Sequence, residues 1–121
     1  MKITDIKTFL METGGRDWVF CKVETDEGVH GWGEGTLERH EESVAAGMNV
    51  LAKRLIGNDP TQIERNWQIM YRHGFWRGGV VMVSAMAAID IALWDITGKI
   101  NNIPIYKMLG GAVRDKVKAY T

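Results

Sequence analysis

One cysteine, two prolines and no net charge leave several protein classes without support in this 121-residue sequence. A single cysteine, Cys21, excludes an intrachain disulfide framework and a cysteine-rich zinc site, and one free thiol suits a reducing cytosol. Fifteen Lys and Arg balance fifteen Asp and Glu. That balance argues against a nucleic-acid binder that works by neutralising phosphates, although a local basic patch stays open. No internal repeat, low-complexity tract or long linker is present. No apolar run approaches the roughly 20 residues of a membrane helix, so no membrane partner is expected. The start, MKITDIKTFLMETGG, puts Asp5 and Lys7 where a signal peptide needs apolar residues, so the expected location is the cytoplasm. What is abundant is ordinary: 45% hydrophobic and 25% charged residues, enough apolar side chain to order one globular domain.

The first third reads as strands. Residues 2–11 are rich in Ile, Thr, Phe and Leu, and the glycines of 13–17 mark a loop. From Trp18 to Thr25, Val19, Cys21 and Val23 alternate with Lys22 and Glu24. Asp26-Glu27-Gly28 signals a hairpin turn into a third strand over 29–34. Glycines at 31, 33 and 35 weaken that strand and leave room for something to approach closely. Helical spacing follows. Val44, Met48, Leu51 and Leu55 form one stripe that stops at Gly57. Asp59-Pro60-Thr61-Gln62 reads as a cap, a first helical residue and a capping box. The helix it opens carries Ile63, Trp67, Met70 and Tyr71 and ends at His73-Gly74. A third helix repeats Met82, Met86, Ile89, Leu93, Ile96 and Ile100, with alanines that permit close packing. Residues 105–109 suggest one more helical turn, and 117–121 alternate like a strand without a local partner. Three antiparallel strands followed by helices make an α+β layer.

No local catalytic motif stands out. GWGEG lacks the spacing and the Lys-Ser or Lys-Thr of a phosphate loop. His30, His40 and His73 fall on different expected elements, so no metal-spaced pair exists. Asp90 and Asp95 are five apart on the third helix and face different ways, which favours structural roles. Asp95 and Lys99, four apart, suit a helix ion pair. Three loops offer more. The Thr13–Trp18 loop presents Arg16, whose guanidinium suits a carboxylate or a polyhydroxy chain, though composition alone favours a solvated turn. Residues 36–40 offer Glu38, Arg39 and His40, with helix N-terminal dressing an equal reading. Phe75-Trp76-Arg77-Gly78-Gly79 gathers two aromatics and a cation, as a subunit or ligand interface or as a satellite core with a surface Arg.

The strings MKITDIKTF, VETDEGVHGWGEG, LIGNDPTQIERNWQIMYRHGFWRGG, SAMAAIDIALWDITGK and IPIYKMLGGAVRDKVKAY, in this order, resemble the N-terminal capping domain of the enolase superfamily. Within it they are similar to the mandelate racemase branch, in particular the galactonate and mannonate dehydratases. Thr97 stands where a lysine is usual, and FWRGG lacks a proline that often follows it. The resemblance implies a cap over residues 1–112 and, from 113 to 121, the start of a (β/α) barrel. It implies a Mg2+-dependent acid-sugar dehydratase that removes the proton alpha to a carboxylate and eliminates water. A racemase or cycloisomerase on the same scaffold, or a non-catalytic α+β binding module, are the alternatives. The acid/base residues and magnesium ligands would lie in barrel strands absent from this sequence, so the 121 residues alone are expected to be inactive. Arg16, Glu38 and Arg39 become candidate substrate contacts, and Trp76 and Arg77 candidate interface or lid residues. Glu38 stands where mannonate-type relatives carry asparagine, which argues against mannonate. The implied partners are a small-molecule acid sugar and further copies of the chain.

Overall fold

The computed structural model describes residues 1–72 and 74–120. Three strands, β1 (Ile3–Met11), β2 (Trp18–Thr25) and β3 (His30–Glu34), form one antiparallel sheet in the order β1-β2-β3. Four helices follow: α1 (Glu41–Leu55), α2 (Ile63–Arg72), α3 (Val80–Asn101) and α4 (Ile105–Met108). The α+β expectation is met. The alternation of β2 sends Val19, Cys21 and Val23 to full burial, while Lys22 and Glu24 keep to the outer face. The hairpin turn closes where Thr25 Oγ1 donates to the Val29 carbonyl at 2.6 Å, with Gly28 at φ 80.

The helices cover one face of that sheet. α3 lies along β3 and β2, and α1 fills the space between β1 and α3. Val44, Met48, Leu51 and Leu55 of α1 are fully buried, as their spacing requires. Ala85, Ala88, Ile89, Ala92, Leu93 and Ile96 do the same for α3. The three glycines near β3 explain how so long a helix comes so close. A Cβ on Gly31 would meet the Ala92 carbonyl oxygen at 2.0 Å, one on Gly33 that of Ala88 at 1.8 Å, and one on Gly35 that of Ser84 at 2.8 Å. The close approach anticipated from the glycines is thus a helix backbone lying directly on a strand.

Several local expectations change. Asp59 does not cap a helix that starts at Pro60. Its carboxylate takes the Thr61 N–H at 2.9 Å and the Thr61 hydroxyl at 2.7 Å, which holds a turn ahead of α2. The α2 face also buries a polar side chain, Asn66, fully. Asn66 donates to the Asp59 carbonyl at 2.8 Å and accepts from Asn58 Nδ2 at 3.2 Å, so it ties α2 back to the end of α1. The expected α2 terminus at His73 lies outside the described residues. Ile100 is 41% exposed and so falls off the α3 stripe. By length and composition α3 could cross a membrane, which corrects the expectation that no apolar run is long enough; it serves here as the helix against the sheet. Residues 112–120 form no strand and are exposed throughout, pairing with neither edge of the β1-β2-β3 sheet. Thr121, the last residue of that expected strand, lies outside the described residues.

The outer sheet face is charged at one end and aromatic at the other. Lys7 and Lys22 each donate to Glu24 at 2.8 Å, and these bonds hold its carboxyl down at about 2. The stabilisation this gives is complete above the ordinary value of 4.5 and fades as pH falls toward about 2. Phe9 and Trp32 lie 5.4 Å apart across β2, and Trp18 stacks on Phe20 at 6.2 Å. On the inner face, burial pushes the Cys21 thiol up to about 12. The native protein at pH 8 should therefore leave Cys21 unlabelled by a thiol reagent that reacts at once in denaturant. Rapid labelling of the folded protein would contradict this packing.

Candidate functional site

Antiparallel pairing decides which loops can meet. β2 runs back along β1, and β3 runs back along β2. The β1–β2 loop and the segment leaving β3 therefore lie at the same end of the sheet. The ladder continues past β3 to fix them: Gly35 N–H donates to the Val19 carbonyl at 3.0 Å, and Val19 N–H donates to Thr36 Oγ1 at 3.1 Å. α3 contributes a third segment. Gly31 faces Ala92 and Gly35 faces Ser84, so α3 runs antiparallel to β3 and starts at this same end. The loop before it, residues 74–79, joins the others there. Leu37 lines an apolar hollow of about 460 Å³ with Gly79, Val80 and Val83. All three segments nominated from sequence thus gather at one end of the domain.

Within that end, Arg16 and Glu38 meet. Arg16 Nε lies 3.3 Å from Glu38 Oε1, and both side chains are about two-thirds exposed, at 64% and 66%. The backbone beneath each is held. Thr13 donates its N–H to Asp17 Oδ1 at 3.3 Å and its hydroxyl to the Arg16 carbonyl at 2.5 Å. Beyond Glu38, Arg39 occupies the left-handed region at φ 66, which costs free energy in a residue with a Cβ. Its N–H donates to Glu41 Oε1 at 3.0 Å, and His40 N–H donates to the Leu37 carbonyl at 2.8 Å. These two bonds hold the turn into α1.

Arg39 does not share the Arg16–Glu38 ion pair. It lines a separate hollow of about 260 Å³ with His40 and the carboxylates of Glu12, Asp17, Glu41 and Glu42. Four carboxylates make that hollow a poor seat for an anionic ligand. Phe75 and Trp76 are 87% and 86% exposed, with rings edge-on at 5.1 Å, and Arg77 is exposed beside them. Gly78 and Gly79, at φ 80 and 84, turn the chain into α3.

The two helix aspartates have structural surroundings. Asp95 Oδ2 accepts from Lys99 Nζ at 2.7 Å, the expected helix pair, and from Trp32 N–H at 2.9 Å. Lys99 also donates to the His30 carbonyl at 2.8 Å, so the two side chains together satisfy an open edge of β3. Burial holds the Asp90 carboxyl above its ordinary value, offset in part by a hydrogen bond with Trp94. Sequence reasoning missed the edge-capping role of Asp95 and the clasp of Thr36 on Val19. The first had a signal in the glycine-rich strand, which shows its backbone; the second had none.

Among the described residues, no three His, Cys, Asp or Glu side chains converge to hold a metal ion. The donors present among these residues do not fit a magnesium site. What this end of the domain offers is a guanidinium with a carboxylate beside it, an apolar hollow and exposed aromatics. Such groups have the chemistry to contact a polar ligand, and among the described residues this end holds no acid/base pair.

A family model for the mandelate racemase / muconate lactonizing enzyme N-terminal domain matches residues 4–110. Among solved structures, the chain is similar to an enolase from Pantoea ananatis with bound D-gluconate and magnesium. The two are 45% identical, with a TM-score of 0.89, over 94% of this chain and 28% of that one. An enolase from Agrobacterium radiobacter, provisionally named a galactarate dehydratase and solved with sodium and L-malate, is 36% identical. It aligns with a TM-score of 0.89 over 99% of this chain and 30% of its own. A provisionally named dehydratase from Mesorhizobium loti is 38% identical, with a TM-score of 0.94, over 99% of this chain and 33% of that one. The chain therefore spans about a third or less of the solved structures it matches.

Proposed function

The chain belongs to the mandelate racemase / muconate lactonizing enzyme N-terminal domain family of the enolase superfamily, and on that premise we propose that it caps a magnesium-dependent acid-sugar dehydratase. The observation that carries this reading is the 45% identity, over nearly the whole chain, to a protein seen with D-gluconate and magnesium. The gathering of three loops at one end of the sheet supports it, because a cap needs one face to present to a ligand. In this reading residues 113–121 lead into a barrel, and the acid/base residues and metal ligands belong to that barrel.

The cap's own part is selection and exclusion of water. Removing a proton alpha to a carboxylate creates charge that water would quench, so the site must close over its substrate. The exposed rings of Phe75 and Trp76 and the hollow beside Leu37 supply apolar cover. Arg16 supplies a two-pronged donor for the polar end of the substrate. Loss of the beta hydroxyl after proton abstraction leaves an enol that becomes a 2-keto-3-deoxy acid.

The test uses the polypeptide encoded by the complete gene. With magnesium present, D-gluconate or a related acid sugar should yield a 2-keto acid, detected as its semicarbazone. Chelation should abolish the signal and fresh magnesium should restore it. Epimerised substrate without keto acid would point to racemisation instead. A gene that encodes these 121 residues alone would leave only a binding module.

A further inference from the structure

Among the charged side chains at the loop end of the domain, Arg16 and Glu38 make an ion pair that joins two different loops. From its geometry we infer that Glu38 is a positioning residue that turns Arg16 into a two-pronged donor of no net charge. The pair then selects the hydroxylated tail of a monocarboxylic sugar acid over the second carboxylate of a dicarboxylic one. This inference rests on the acid-sugar reading above and narrows it.

The contact atom matters first. Glu38 Oε1 engages Nε, on the inner edge of the guanidinium, at 3.3 Å. Among the described residues no partner engages the two Nη groups at the outer end, where their N–H bonds form a fork for two neighbouring oxygens. An arginine without a partner would spread its side chain over many rotamers. Glu38 limits them from a fixed base. Leu37 before it packs against the hydrophobic core, and the backbone N–H of Arg39 after it is tied to Glu41. Arg16 stands on a loop closed by both Thr13 bonds. Two held backbones thus set the direction of the fork.

Charge decides what the fork prefers. A lone guanidinium attracts a second carboxylate strongly. Paired with Glu38, the site carries +1 and −1, and a carboxylate arriving at the fork also meets the glutamate. Vicinal hydroxyls need only the donors and suffer no such repulsion. Arg39 does not restore a positive field, since it lines the hollow with Glu41 and Glu42.

D-Gluconate and D-glucarate differ only in whether carbon six is a hydroxymethyl or a carboxylate, so they isolate this preference. Their dissociation constants are measured by calorimetry in sodium buffer with magnesium removed by chelation, so that neither acid is turned over, on the polypeptide of the complete gene and its variants. Unmodified protein should prefer D-gluconate. Glu38→Gln keeps the shape and removes the charge, and should shift the gluconate-to-glucarate ratio about two- to fivefold toward glucarate, the size of an exposed ion pair. A ratio untouched by Glu38→Gln, while Arg16→Ala weakens both ligands, overturns the inference and leaves the acid-sugar reading standing. Binding of both ligands unaffected by Arg16→Ala, or absent from the unmodified protein, overturns the inference together with the acid-sugar assignment of this loop. Circular dichroism of each variant shows that the fold is retained.

Discussion

Gly33→Ala should cost the protein its cap. The added methyl would sit 1.8 Å from the Ala88 carbonyl oxygen, 2.8 Å from its carbon and 3.1 Å from the Ala92 nitrogen. All three atoms are backbone, so no rotamer change relieves the clash, and α3 must move off the sheet. Overpacking among flexible side chains costs about 1–3 kcal/mol, and a rigid backbone contact lies at or above the top of that range. A loss of about 3 kcal/mol or more lowers the melting temperature of a domain this size by about 10 °C or more. The control is Gly15→Ala. No atom lies within 4 Å of its would-be Cβ, and its φ is not positive, so melting should barely change. A Gly33→Ala protein that melts within about 2 °C of the unmodified one would mean that α3 does not lie on β3 as described.

The same contact shows why part of the fold could be read from sequence. Two residues along a strand advance about 6.7 Å, and four along a helix advance about 6 Å. Gly31, Gly33 and Gly35 therefore keep near-step with Ala92, Ala88 and Ser84. The glycines announced a close approach, but not which element would make it, because that partner is 49 to 61 residues away. Periodicity behaves likewise. The stripe of Val44, Met48, Leu51 and Leu55 and the alternation of β2 are local patterns, and both end buried as read. Asn66 escaped because its burial depends on Asn58 and the Asp59 carbonyl, which meet it only once α2 has docked. The start of α2 was misread because an Asp-Pro-Thr sequence serves an Asx turn as well as a helix cap.

The site was legible as three loops and illegible as a site. Hairpin connectivity alone places residues 12–17 and 35–40 at one end of a three-stranded antiparallel sheet. The third loop needed the direction of α3 along β3, which no local pattern encodes. Sequence also offered Arg16, Glu38 and Arg39 as three equivalent contacts. The structure separates them: Arg16 and Glu38 pair with each other, while a left-handed Arg39 turns toward a carboxylate-lined hollow. Side-chain pairing between residues 22 positions apart is a tertiary fact, and it changes what each residue can do for a ligand.

Arg16→Ala in the complete polypeptide should lower kcat/KM on an acid sugar about ten- to hundredfold and leave melting almost unchanged. The first half follows, on the proposed role of Arg16, from losing charge-assisted hydrogen bonds to the substrate, each worth about 1.5–3 kcal/mol. The second half follows from the side chain being 64% exposed, with one ion pair at the surface, a class of contact worth about 0–1 kcal/mol. The split between KM and kcat locates the contact. If Arg16 grips the distal end of the substrate equally in ground and transition states, the loss appears in KM. If that grip also aligns the reacting carbon, kcat falls as well. Arg16→Lys distinguishes charge from shape: a lysine keeps the positive charge but presents a single point in place of a fork, and should recover little of the activity. Recovery to near the unmodified value would show that charge alone suffices. Unchanged kcat/KM in Arg16→Ala would remove the loop from the binding site altogether.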